Sequence, residues 1–155
     1  MKKKVLSKKK SEPIRHEIRT DYLGKVYGKE FLKLVPKAAK KLRAIKRKHP
    51  FDAIAFTGSS GAALAYPLSY LLKMPLIHVR KGSSHYSGKI EGTISSKKYI
   101  IIDDFIDTGK TLLKVMKTID EALEKKAKPV AICLYSSGRE SDFSFNKKKI
   151  PVFTV

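Results

Sequence analysis

Cysteine is almost missing from this 155-residue chain. The lone Cys133 cannot form an internal disulfide, and its apolar surroundings at 130–135 predict a buried, inert thiol in a cytoplasmic setting. No apolar run approaches the length of a membrane-spanning helix, so no membrane partner is expected. The start of the chain is positive but has no hydrophobic stretch behind it, unlike a secretory signal. The four histidines, His16, His49, His78 and His85, lack metal-ligand spacing, and no internal repeat is visible. Acidic residues are scarce as well: 14 face 34 lysines and arginines, leaving a formal charge of +20. Such a field favours anionic partners, whether phosphorylated small molecules or nucleic acid, and is silent on fold.

What is present suits one domain. The hydrophobic fraction of 42% is ordinary for a globular chain, and the length is too short for two comfortable cores. Residues 1–11 read as a Lys-rich, disordered arm and 12–155 as a single domain. Residues 30–49 carry Phe31, Leu34, Val35, Ala38, Leu42 and Ile45 on one helical stripe, with lysines and arginines as the wet face. Pro36 either kinks this helix or marks its first turn. For the basic arm and this basic face, a solvated surface is the simpler reading and a nucleic-acid site the sharper one.

Strands are expected at 51–56, 76–79, 99–102, 130–134 and 152–155. Helices are expected at 62–73, made irregular by Pro67, and at 111–126, where Leu112, Val115, Met116, Ile119 and Leu123 share a face. Residues 80–98 are rich in glycine and serine and read as a mobile loop or open hairpin. Apolar strands alternating with helices imply an α/β fold, with a central, mostly parallel sheet of about five strands flanked by helices.

The informative run is Tyr99-Ile-Ile-Ile-Asp-Asp-Phe-Ile-Asp-Thr-Gly-Lys-Thr111. A buried strand leads into two adjacent acids, then into a loop of hydroxyls and glycine that opens a helix. Ligands of open parallel sheets sit at the carboxyl ends of strands. Asp107, Thr108, Gly109, Lys110 and Thr111 would set backbone N–H groups and hydroxyls at a helix N-terminus, a cradle for phosphate. Asp103 and Asp104 then need a partner that is not an anion. A ribose diol or a hydrated Mg²⁺ supplies one.

Competing motifs fail on spacing. A nucleotide-triphosphate P-loop needs a glycine five positions before Gly109, where Asp104 stands, and the 57–61 segment lacks the three-glycine dinucleotide pattern. The plainest alternative makes Asp104 and Asp107 turn and capping residues, but capping does not require two acids in succession after a dry strand.

The segment 100–111 resembles, at every position, the phosphoribosylpyrophosphate-binding motif of type I phosphoribosyltransferases. The resemblance extends more loosely over residues 20–155. It implies the fold of that family, with a small hood from parts of 12–28 and 136–155 and a mobile hairpin loop. It further implies that Asp103 and Asp104 contact the ribose hydroxyls and hold Mg²⁺ through water, while residues 107–111 wrap the 5-phosphate. Thr57, Gly58, Ser59, Ser60 and Gly61 stand where the family has its pyrophosphate loop, with a cis peptide expected near Gly58–Ser59. Arg80, Lys81, His85 and Lys89 fall in its flexible catalytic loop, Lys81 being the preferred catalytic residue there.

The implied reaction displaces pyrophosphate from phosphoribosylpyrophosphate (PRPP) by a nucleobase nitrogen, giving a nucleoside monophosphate. Asp107 is either a general base or an organiser of the phosphate loop. The loop ending Ile90-Glu91-Gly92 resembles orotate-type and adenine-type enzymes, whereas Asp-Thr-Gly-Lys-Thr is shared with hypoxanthine-guanine types, so the base stays open. Tyr135, Arg139, Phe143 and Phe145 either meet the base or pack the C-terminal segment. The family further implies a homodimer. A different class of function, a regulator of the same fold that senses PRPP or a nucleotide and binds RNA or DNA, fits the charge. A PRPP synthetase would need a second related domain.

Overall fold

The computed structural model describes residue 26 and residues 28–82, 88–136 and 141–155. Residues 1–11, most of 12–28, His85 and Arg139 lie outside the described residues. Among the described residues no helix is long and apolar enough to cross a membrane.

Ten elements follow in order: α1 (Gly28–Lys48), β1 (Ala53–Thr57), α2 (Gly58–Leu72), β2 (Leu76–Val79), β3 (Ile90–Gly92), β4 (Lys98–Asp103), α3 (Lys110–Ala122), β5 (Lys128–Leu134), β6 (Ser141–Phe145) and β7 (Lys148–Thr154). The strands form one sheet in the order β3-β2-β1-β4-β5-β7-β6. The five central strands are parallel, and β3 and β6 close the edges antiparallel.

The sheet therefore has seven strands rather than about five. The two additional strands are short or polar: β3 is three residues with none buried, and β6 reads Ser-Asp-Phe-Ser-Phe. Neither shows the continuous apolar pattern that marks a doubly covered strand, because an edge strand is only partly covered. Of the segments read as hood, 141–145 and 148–154 form a hairpin on the sheet edge.

Alternation along each central strand divides the core. Ala53 and Ala55, Tyr99 and Ile101, and Ile132 and Leu134 face α3, whose Leu112, Val115, Met116 and Ile119 seal that side. Ile54 and Phe56, Ile100 and Ile102, and Ala131 and Cys133 face α1 and α2. The stripe on α1 lands as its periodicity requires, with Ala38, Ala39, Leu42 and Ile45 buried. Pro36 and Pro67 both lie within continuous helices. At Pro36 the carbonyl that loses its donor belongs to Leu32, on an exposed turn (74% exposed) where water can satisfy it. α3 ends at Ala122, short of Lys126, because Glu124 and Lys125 adopt left-handed backbone with φ of 51° and 59°.

Leu42 on α1 is completely buried in the cluster that α1 and α2 share with one face of the sheet. Leu42→Ala is expected to cost about 2–5 kcal/mol in urea denaturation by removing transfer energy and leaving a cavity. An unchanged midpoint would show that α1 is not part of the cooperative core.

Candidate active site

At the carboxyl edge of the sheet lies a cavity of about 470 Å³. Its walls are Ser59, Ser60 and Lys81 on one side and the continuous run from Asp103 to Leu112 on the other. Two helices begin there. α3 starts after Gly109, whose φ of 74° no L-residue adopts readily, and a Cβ at that position would come within 2.7 Å of the Phe143 ring. α2 starts at Gly58, with φ of 62°, under the Lys81 side chain; a Cβ would lie 2.5 Å from Lys81 Nζ. Neither N-cap residue, Thr57 or Gly109, caps its helix through a side chain. Both helix starts thus bring first-turn amides and the positive end of a helix dipole beside the cavity, with the Lys110 amide 3.5 Å from the Thr108 hydroxyl oxygen.

Between the helix starts sit the two acids. Asp103 and Asp104 are each only 7% exposed. Asp103 Oδ1 accepts a hydrogen bond from the Ser60 hydroxyl (3.1 Å) and another from the Asp104 amide (3.0 Å). Burial pushes the Asp103 carboxyl up to about 7, reinforced by its hydrogen bond with the Asp104 carboxyl and by that neighbour's charge. The Asp104 amide and the Ser60 hydroxyl offset part of the rise. The end of β5 braces this floor. The Tyr135 and Ser136 amides donate to the carbonyls of Asp103 and Asp104, and the Tyr135 hydroxyl donates to the Ser60 carbonyl at 2.6 Å.

Most of the residues singled out from sequence meet here. Ser59, Ser60, Lys81, Asp103, Asp104, Asp107, Thr108, Gly109, Lys110 and Thr111 all line the one cavity. Others do not. The Thr57 hydroxyl donates to the Val79 carbonyl (2.7 Å) and ties β1 to β2, while Gly61 is buried. Arg80 is ion-paired with Glu91, and Lys89 with Glu121 on α3 at 2.9 Å. No cis peptide occurs among the described residues, contrary to the expectation near Gly58–Ser59; a left-handed Gly58 makes the turn into α2 instead.

Tyr135 is a buried brace, not a surface for a base, and Phe145 belongs to the core. Sequence reasoning missed Phe105 and Ile106 as cavity walls and Tyr135 as the support of Ser60. Tyr135 and Ser60 are 75 positions apart, so no local pattern could join them.

Comparison with known proteins fits this geometry. The family model for the phosphoribosyl transferase domain matches residues 28–153. The chain belongs to that family. An orotate phosphoribosyltransferase of Listeria monocytogenes is 39% identical over 74 residues, 46% of this chain and 35% of the relative. One from Staphylococcus epidermidis is 31% identical over 107 residues, 67% of this chain and 52% of the relative. The phosphoribosyl transferase domain described here therefore spans about a third to a half of the length of these relatives. The crystal structure of Francisella tularensis orotate phosphoribosyltransferase superposes with a TM-score of 0.60 at 18% identity. It covers 83% of this chain and 66% of that one, a likeness of fold. Adenine phosphoribosyltransferase from Thermoanaerobacter pseudethanolicus shares the fold at a TM-score of 0.53 and 18% identity, over 66% of this chain and 68% of that one.

Members of this phosphoribosyl transferase family raise the question of a divalent cation. Among the described residues no three His, Cys, Asp or Glu side chains gather as a metal site. Asp103 and Asp104 alone offer hard oxygen ligands on a buried floor. That set fits an ion such as Mg²⁺, which keeps several waters and takes its remaining ligands from a phosphorylated substrate.

The raised Asp103 also makes a prediction about stability. Its folded proton affinity exceeds that of an unfolded aspartate, about 3.9, so its contribution to folding stability falls as pH rises from about 4 to about 7 and then levels. Asp103→Asn keeps the acceptor for Ser60 and removes the charge. Its melting temperature is expected to exceed that of the parent by an amount that is small near pH 4 and largest above pH 7, where the stability gain is on the order of 2 kcal/mol. A difference independent of pH would refute the assignment.

Proposed function

We propose that this domain transfers the 5-phosphoribosyl group from PRPP to a nucleobase and releases pyrophosphate, with orotate as the first base to test. One observation carries the reading: two uncapped helix starts flank a buried pair of carboxyl groups in a single cavity. PRPP has the complementary order of groups, with an anion at each end and a diol between. The α3 amides with Thr108 and Thr111 take the 5-phosphate, Asp103 and Asp104 take the ribose hydroxyls, and the α2 start with Ser59 and Ser60 takes the pyrophosphate. Orotate is favoured because the Listeria and Staphylococcus relatives are orotate phosphoribosyltransferases.

The chemistry follows from these positions. Cleavage of the bond from C1 to pyrophosphate leaves positive charge on the ribose and negative charge on the departing group, so the protein must neutralise the latter and exclude water. Lys81, whose side chain lies over Gly58, brings its ammonium to the α2 start. A bound Mg²⁺, held through Asp103 and Asp104, would supply further positive charge to the pyrophosphate and ribose oxygens. Asp107 is exposed at the cavity wall. As a base it would take a proton from the incoming nitrogen; as an organiser it would hold the phosphate loop. Asp107→Asn separates the roles: loss of kcat with an altered pH profile marks the base, whereas a raised KM for PRPP marks the organiser.

Incubation with PRPP, Mg²⁺ and orotate is expected to release pyrophosphate and form a nucleotide. Asp103→Asn/Asp104→Asn should abolish this, and Lys81→Ala should lower kcat by about 10²–10³-fold. Folded protein that releases no pyrophosphate with orotate, uracil or any purine base would overturn the proposal.

A further inference from the structure

A second cavity, of about 290 Å³, lies at the opposite end of the sheet, where the parallel strands begin. Strand β4 has Lys98 beside this cavity and Asp103 in the first one, about 17 Å away by strand rise. The walls are Ala127, Pro129, Val130, Phe145 and Ile150, and the rim carries four lysines: Lys98, Lys125, Lys128 and Lys148. All four are exposed.

Four exposed lysines along one rim make it strongly positive. The one carboxylate lining it is Asp120, and the C-terminal end of α3 adds about half a negative charge. Four positive charges against one and a half leave an excess that an anion would neutralise. Two neighbouring lysines are matched, Lys126 with Glu124 at 2.7 Å and Lys149 with Asp142 at 3.9 Å.

Two left-handed backbone turns frame this rim. Glu124 and Lys125 are both left-handed, as are Asn146 and Lys147 at the β6–β7 turn, and neither pair contains glycine. The Lys125 amide donates to the Asp120 carbonyl (2.7 Å), and the Asn146 side-chain amide donates to Asp120 Oδ2 (3.2 Å), locking the hairpin turn onto α3. Asp120 and the Asn146 carbonyl oxygen remain as acceptors for the hydroxyls or ring N–H groups of a ligand.

The geometry points to a second ligand site here, for a mononucleotide, with its ring against the apolar walls and its phosphate among the rim lysines. The volume is at the small end of ligand pockets and suits one ring with its sugar phosphate. The inference does not depend on the function proposed for the first cavity.

The test is a titration of full-length protein, ¹³C-labelled at isoleucine methyls, with adenosine and uridine 5′-monophosphates. The Ile150 resonance is identified by its loss in Ile150→Val. It is expected to shift on titration in the parent protein and equally in Asp103→Asn/Asp104→Asn, which disables only the first cavity. Lys128→Gln/Lys148→Gln, checked for an unchanged melting temperature, should weaken the affinity read at Ile150 at least tenfold. Shifts confined to the first cavity would overturn the proposal. So would equal effects from inorganic phosphate alone, which would mark a plain anion site, or tighter binding of an oligonucleotide, which would mark a nucleic-acid surface. Failure of the first-cavity assignment would show separately, as Asp103→Asn/Asp104→Asn protein retaining PRPP affinity.

Discussion

Two carboxyl groups in succession, held almost out of water at the end of β4, impose the central constraint on this molecule. Left alone they repel, and burial makes ionisation of Asp103 costly. The surroundings relieve that cost only in part, through the Ser60 hydroxyl and the Asp104 amide. Full relief requires a proton, a cation or a hydroxyl-bearing ligand. The family of the chain makes a ligand the natural answer, and the helix starts on either side limit which ligands suit.

The sheet is what allows this arrangement. Because β1 and β4 are adjacent and parallel, the loops that follow them emerge on the same edge, and each loop opens a helix. The two positive helix ends therefore converge on one cavity without any long-range design beyond strand order. Glycine is needed at both openings: Gly58 lies beneath Lys81 and Gly109 beneath the Phe143 ring. Both ends of β4 are lined by charge, acids at one and lysine at the other, while its middle is wholly buried. The same strand thus borders both cavities.

Much of the site was legible in the chain itself. The run at 100–111 states a strand, an acidic pair and a helix start in consecutive residues, so its local structure follows from local chemistry. The stripes on α1 and α3 were equally plain, since a 3.6-residue period leaves a signature wherever one face is dry. Edge strands β3 and β6 leave no such signature, being partly exposed, the first short and the second polar. Of the 57–61 segment read as a loop, Thr57 ends β1 and 58–61 form the first turn of α2, because a glycine in left-handed backbone can start a helix directly after a strand.

By itself the sequence determined the α/β class, the two covered faces and the order of strand, acidic pair and helix start along the segment 100–111, because each depends on periodicity or on neighbours in the chain. Only the tertiary structure decided that Thr57 serves as a strap, that Tyr135 supports Ser60, and that Arg80 and Lys89 are ion-paired while Lys81 lines the cavity. It alone gathered four lysines from three separate stretches of chain at the far edge. Those outcomes turn on contacts between residues distant in sequence, and such contacts are set by strand order and register, which no local pattern encodes.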